Sequence, residues 1–235
     1  MGSRVVRIAR NSLGVEVQRA AVRERFLARP VRAVVWGVAL LVLVGVMAVV
    51  VPAGPLAIDR WWSEAMHDHE TPLLKDLALI FNALGRGIGQ ALSLAAIGLV
   101  LARARRWLAL VAFAVVEGLT SLSSALLKAA VARPRPPDGL IHPLSSAFPS
   151  GHAAYAGATC VVLVFLFTAP GRGRHWWWTL ASLGIIGMAW SRTCLQVHWL
   201  SDVVAGSLLG IGIALVVFGG AQCWDESRRT AHDPR

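Results

Sequence analysis

The chain has 235 residues, 56% of them hydrophobic and only 15% charged, with a net charge of +10. Soluble domains average about 25% charged residues, so this composition excludes an ordinary soluble domain and makes a bilayer the expected solvent. Basic charge resides in 21 Arg and two Lys, Lys75 and Lys128; the arginines flank apolar stretches rather than forming one patch, so nucleic acid is set aside and anionic lipid is the expected partner.

The chain opens on a basic segment, residues 1–32, with Arg4, Arg7, Arg10, Arg19, Arg23, Arg25, Arg29 and Arg32. Within it, 15–29 sets Val15, Val22 and Phe26 against Arg19, Arg23 and Arg29. A helix lying on the inner membrane surface and a disordered basic tail fit this stretch equally. The first apolar run, 33–52, exceeds the about 7–15 residues of a signal-peptide core and reads as a retained anchor. A mixed segment, 53–77, follows.

The second span, 78–102, is interrupted by Asn82, Gly85, Arg86, Gly87, Gly89 and Gln90. An interfacial or broken start before the clean run 91–102 is expected there. Further spans are read at 107–128, 150–169, 176–195 and 199–221, each suited to a hydrocarbon core that needs about 20 residues. The expected fold is all-α, a polytopic membrane bundle of six transmembrane helices. The expected divisions are a basic cytoplasmic segment 1–32, a six-span domain 33–222 and a cytoplasmic tail 223–235.

Arginines orient the spans. Arg103, Arg105 and Arg106 follow span two, Arg172 and Arg174 follow span four, and Arg228, Arg229 and Arg235 lie in the tail. With six spans these regions and residues 1–32 share one side, which the positive-inside rule makes cytoplasmic, with both termini. Segment 53–77, loop 129–149 and turn 196–198 then face outward across the cell membrane. Tryptophans near the span ends, among them Trp36, Trp107, Trp176 and Trp199, fit aromatic belts. Cys160, Cys194 and Cys223 have neither metal nor redox spacing and read as packing residues.

Chemistry gathers on the outward side. Glu117, Ser121, Ser124 and Lys128 recur at helical spacing on one face, which therefore looks into the bundle or a wet cavity. Glu117 lies roughly 16 Å from Lys128 at 1.5 Å per residue and cannot pair with it. A structural or supporting role for it is expected over catalysis. Arg133-Pro134-Arg135-Pro136-Pro137 follows, and a stiff basic loop explains it equally well. Ser150 stands where a helix N-cap belongs, Gly151 permits close backbone approach, and the free N–H groups of a helix start attract anions. His152 projects from that first turn; a plain Pro-Ser-Gly helix start is the ordinary alternative. Arg192, beside Ser191, ends a span, where snorkelling to headgroups is the ordinary explanation. His198 and Asp202 are four apart on one helix face, so Asp202 can fix the imidazole tautomer. A polar interfacial cap accounts for the pair as well.

Taken together, Lys128 with six residues before Arg135-Pro136, then Pro149-Ser150-Gly151-His152, then Ser191-Arg192 with five residues to His198 and three more to Asp202 resemble the signature of the type 2 phosphatidic acid phosphatase superfamily. Vanadium haloperoxidases and glucose-6-phosphatase share that signature. The motifs cover 128–202, and the six-span layout extends the likeness over most of the chain. The resemblance implies a phosphatase in which His198 attacks phosphorus to form a phosphohistidine, Asp202 orients it, and His152 protonates the leaving oxygen. Lys128, Arg135, Arg192, Ser150 and the Gly151 N–H would hold the phosphoryl oxygens. Its register selects Arg135, not Arg133, whose removal is expected to cost far less.

Neither metal nor other cofactor is implied, because three cations supply the charge that phosphoryl transfer needs and no acidic cluster for Mg²⁺ is visible. The expected substrate is a membrane lipid phosphate: a polyprenyl diphosphate such as undecaprenyl diphosphate, phosphatidate or phosphatidylglycerophosphate. A lipid phosphotransferase using the same intermediate is the nearest alternative. A non-catalytic transporter or scaffold rests only on glycine-rich span two and Glu117, and no internal repeat supports it. Oligomeric state is not encoded legibly.

Overall fold

The computed structural model describes residues 27–51, 54–85, 87–141, 144–171 and 173–232, without the side chains of 229–232. Among them are eight helices and no strand: α1 Pro30–Val50, α2 Ala57–Asp68, α3 Pro72–Leu84, α4 Gly87–Arg103, α5 Trp107–Val131, α6 Gly151–Phe167, α7 Arg174–Cys194 and α8 Leu200–His232. The all-α expectation holds. Most of the basic segment, including 15–26 of its amphipathic stretch, lies outside the described residues. Leu27, at the end of that stretch, exchanges two hydrogen bonds with the Gln222 side chain on α8.

α1, α5 and residues 200–228 of α8 are long and apolar enough to cross a membrane, and α3 with α4 forms a candidate broken span, bent by 54°. The break falls at the glycines that interrupt the expected second span, but its first half starts earlier, at Pro72. There Thr71 caps the helix by accepting from the Leu74 N–H, and proline occupies the first turn, where its missing N–H costs nothing. α6 is apolar but has only 17 residues. α8 continues as helix well beyond the expected span end at 221. α2 falls inside segment 53–77, where the sequence offered no apolar run to mark it.

α6 sits at the centre, with most of its residues buried, packed against α5, α7 and α8. Its contact with α8 is a seam of small residues. A Cβ on Gly206 would lie 2.3 Å from the Ser150 carbonyl oxygen, and one on Gly210 would lie 2.0 Å from that of Ala154. Backbone therefore touches backbone, as small residues allow in membrane helices. Around the seam, Val116, Phe113, Val162, Phe165, Leu209, Ile213 and Phe218 form the core. Apolar side chains such as Val35, Val42, Leu122 and Ile186 are exposed on the outside, which is the surface a bilayer would cover.

Candidate active site

The seam sets the start of α6 beside the start of α8: the Ser150 N–H donates to the Asp202 carbonyl at 3.0 Å. α5 ends at Ala132 in the left-handed conformation, and the prolines that follow prevent any continuation. The chain then folds back over the helix ends. Lys128 Nζ donates to the Ser146 carbonyl at 2.7 Å while Ser146 Oγ donates to the Lys128 carbonyl at 2.6 Å. Arg135 is held by the carbonyls of Ser145, Ser146 and Val197.

These elements enclose a cavity of about 710 Å³, within the usual size of a small-ligand pocket, about 300–1,000 Å³. Lys128, Arg135, Gly151, His152, Arg192 and His198 all line it. Six of the eight sequence-predicted site residues thus share one space. The other two, Ser150 and Asp202, lie fully buried in its wall. The polar face read on α5 lines the same cavity through Glu117, Ser121 and Ser124. Glu117 accepts from Thr159 Oγ at 2.9 Å, in keeping with a supporting role.

Ser150 occupies the N-cap position, yet its side chain caps nothing. Its Oγ is buried without a hydrogen-bond partner, a rare state for a hydroxyl. The N–H groups of Gly151, His152 and Ala153 have no acceptor within their own helix. Arg192 is buried and donates to Asn82 Oδ1 at 2.7 Å. Asn82 also lines the cavity, and the sequence marked it only as an interruption.

His198 and Asp202 come together, but not on one helix face: His198 lies in the turn before α8, which begins at Leu200, and its Nδ1 stands 3.6 Å from Asp202 Oδ2, longer than a hydrogen bond. The capping alternative is also realised, since Asp202 Oδ2 accepts the Trp199 N–H at 2.9 Å, the carboxylate half of a capping box. Arg135 Nη1 lies 3.1 Å from His198 Nε2. A guanidinium only donates, so Nε2 presents a lone pair and the imidazole proton belongs on Nδ1, facing Asp202. Burial pushes the His198 pKa down to about 4; Asp202 opposes that shift, and Arg135 and Lys128 add to it. That direction favours the neutral ring, whose Nε2 lone pair accepts from Arg135.

The basic stretch after α5 is a loop, but Arg133 within it is not a solvated loop charge. It is fully buried and bridges Asp59 on α2 and Asp202 on α8. Its neighbour Arg135 faces the cavity. The two side chains diverge because the turn at Ala132 sends one inward and proline separates it from the other. No short-range pattern marks this pairing, since Asp59 lies 74 residues away.

Residues 107–223, about half of the chain, match the model of the PAP2 superfamily. An undecaprenyl-diphosphatase of Sulfolobus acidocaldarius is 36% identical over 74 residues, a match covering 32% of this chain and 33% of that protein. Among solved structures, the first transmembrane PAP2 type phosphatidylglycerolphosphate phosphatase from Bacillus subtilis superposes with a TM-score of 0.69 at 24% identity. That match covers 81% of this chain and 96% of the other. Aquifex aeolicus LpxE superposes at 0.58, also at 24% identity, covering 69% and 96%. Their likeness is one of fold.

Proposed function

Because the chain belongs to the PAP2 superfamily, we propose that it is an integral membrane lipid-phosphate phosphatase working through a phosphohistidine at the outer membrane face. One observation carries the reading: His198 Nε2 stands 3.1 Å from Arg135 Nη1 in a cavity lined also by Lys128 and Arg192. Nucleophile and anion-binding charge meet in one space.

In the proposed reaction, phosphate binds among the three cations, the α6 N-terminus and Ser150 Oγ. The Arg135 N–H now donating to Nε2 passes to a phosphoryl oxygen. His198 Nε2 attacks phosphorus in line, and the ester or anhydride P–O bond breaks. His152 gives its proton to the departing oxygen. The phosphoimidazolium keeps its Nδ1 proton toward Asp202, whose charge stabilises it. His152, now neutral, takes a proton from water as that water attacks phosphorus, and inorganic phosphate leaves with His198 restored. Three cations supply the charge stabilisation that metal ions provide elsewhere, so the reaction is read as metal-independent.

The six-crossing topology, with α3–α4 as one broken crossing and both termini inside, is part of the same proposal. It is supported by the Arg-rich links at one end of the bundle and the cavity at the other. The candidate substrates are undecaprenyl-type diphosphates, phosphatidate and phosphatidylglycerophosphate; two of these classes appear in the names of the similar proteins.

The test is phosphate release from a panel of lipid phosphates and diphosphates by detergent-purified protein in excess EDTA. Release to water, inhibited by vanadate, is expected. Activity that vanishes in EDTA and returns with Mg²⁺ would sink the cation-based reading, and release only with an added alcohol acceptor would mark a transferase.

A further inference from the structure

Helix α2 contributes nothing to the cavity lining, yet it is tied to the His198 turn at two points. Ser63 Oγ donates to Gln196 Oε1 at 2.6 Å, and Gln196 Nε2 donates to the Ser63 carbonyl at 2.9 Å. Gln196 has a φ of 51°, a conformation that costs a side-chain-bearing residue energy and persists only when held. The second tie is ionic. Arg133 Nη1 donates to Asp202 Oδ1 at 2.5 Å and to Ser201 Oγ at 2.8 Å, while Nη2 donates to Asp59 Oδ2 at 2.7 Å and to the Gly54 carbonyl at 2.8 Å. Asp59 also accepts the Ser201 N–H and Oγ–H, both at 2.8 Å, and the Leu56 N–H at 2.9 Å.

Arg133, Asp59 and Asp202 are all fully buried. A desolvated ion cluster is weak evidence for stability, because lost hydration cancels much of the attraction. Its position is more telling. One oxygen of Asp202 is fixed by Arg133, and the other is thereby aimed at the Trp199 N–H and at His198 Nδ1.

We propose that Arg133 and Asp59 are positioning residues that hold Asp202 against His198 and set the charge the imidazole faces, making α2 part of the catalytic apparatus. This rests on His198 being the nucleophile. One cation shared by two carboxylates leaves the cluster one negative charge in excess. Asp59 is held ionised although burial opposes it, because the Ser201 N–H, the Arg133 guanidinium and the Leu56 N–H outweigh that cost. The other groups around His198 are Arg135 from the 132–150 loop, Lys128 from α5, and His152 and Arg192 across the cavity from α6 and α7. Apart from His152 these are cations, so the excess negative charge behind Asp202 is what offsets them at the ring.

The two sides of the cluster therefore push the imidazole in opposite directions. Asp59→Asn gives Arg133 wholly to Asp202, screens it, and lowers the proton affinity of His198. Arg133→Gln leaves two unscreened carboxylates and raises it. The experiment measures kcat and KM for dioctanoyl phosphatidate with the full chain in detergent, across pH, for both variants, Arg133→Lys and His198→Ala. Thermal melting reports the folded fraction of each. The ratio of variant to wild-type kcat/KM cancels the titration of the substrate.

Both variants are expected to lose kcat by about 10–100-fold, the range known for groups that orient a metal ligand from behind, with KM little changed. The acid limb moves down in Asp59→Asn and up in Arg133→Gln, and Arg133→Lys recovers part of the rate. If Arg133→Gln fails to fold, Asp59→Asn and Arg133→Lys carry the test. Acid limbs that superimpose on wild type, with kcat tracking only the folded fraction, would reduce the cluster to structure and overturn the proposal. Full activity in His198→Ala would instead defeat the phosphohistidine reading beneath it.

Discussion

The two ends of α6 use the same residue type to opposite effect. At its C-terminal end, Arg106 donates to the Leu166 carbonyl and Arg174 to that of Val164. These are terminal carbonyls without intrahelical partners, at the end where the helix dipole is negative. Cations there answer an existing need. At the N-terminal end the dipole is positive, yet Lys128, Arg135 and Arg192 gather around a cavity beside it. Nothing in the helix calls for them, and they repel one another. One end is electrostatically complete in itself; at the other the cations face a cavity, where the proposed phosphate would complete them. Arginine near a helix terminus therefore announces function only when the sign is wrong for the dipole.

Single substitutions sharpen that contrast. The largest effect is expected at the proposed nucleophile: His198→Ala should lose at least about 10⁴-fold in kcat, in the range seen when a covalent nucleophile is removed. Phosphate release and trapping of acid-labile phosphate on the protein measure it together, and both should vanish. A variant that still traps label would move the nucleophile elsewhere.

Next in size come the cations of the incomplete end. Arg192→Ala should lose about 10²–10³ in rate, the usual cost of one preorganised charge donor. Relieved repulsion raises its stability without ligand while the lost burial and Asn82 contact lower it, so the net change should be small. Added vanadate should raise the melting temperature of wild type much more than that of the variant, because ligand binding stabilises only the state that binds. Strong destabilisation of the ligand-free variant would show that Arg192 is structural, as Arg106 is.

The smallest effect on rate belongs to the complete end. Arg106→Ala should cost about 1–2 kcal/mol of stability, the value of a charged hydrogen bond to a terminal carbonyl, and leave kcat of the folded protein near wild type. Chemical denaturation and initial rates measured side by side decide it. A selective loss of rate would erase the distinction between the two ends.

What the sequence displayed and what it hid divide along a physical line. The spacings of Lys128, Arg135, His152, Arg192 and His198 were readable because Lys128, His152 and Arg192 lie in end turns of helices whose apolar runs mark their limits, and Arg135 and His198 lie in the short connections just beyond. Helical periodicity put Ser121 and Ser124 on a face turned to the bundle or a wet cavity, and they line the cavity. Glycines 85 and 87 signalled the break between α3 and α4 because no other residue type collects at such a point so readily. The hidden parts are all long-range. Asn82 and Arg192 are 110 residues apart, and Asp59 reaches Ser201 across 142. Amphipathic α2 carries no long apolar run, so its helical period was submerged in a mixed segment. Arg133 read as part of a basic loop because nothing local marks an ion pair with a carboxylate 74 residues away.

The seam between α6 and α8 acts as a gauge block. His152 rides on one helix and the carboxylate behind His198 on the other, and their spacing is fixed where main chain rests on main chain at Gly206 and Gly210. Side-chain exchange elsewhere cannot retune that interval. The cavity wall formed by Asn82, Gly85 and Gln90 comes from α3, α4 and the break between them; α3 packs chiefly on α7, and α4 on α3 and α5. The interval between the two helix starts is thus set by the seam, whereas the α3–α4 wall meets the site through side chains, Asn82 at Arg192 and Gly85 beside the His152 ring, so recutting that wall would shift those side chains and leave the seam's interval in place.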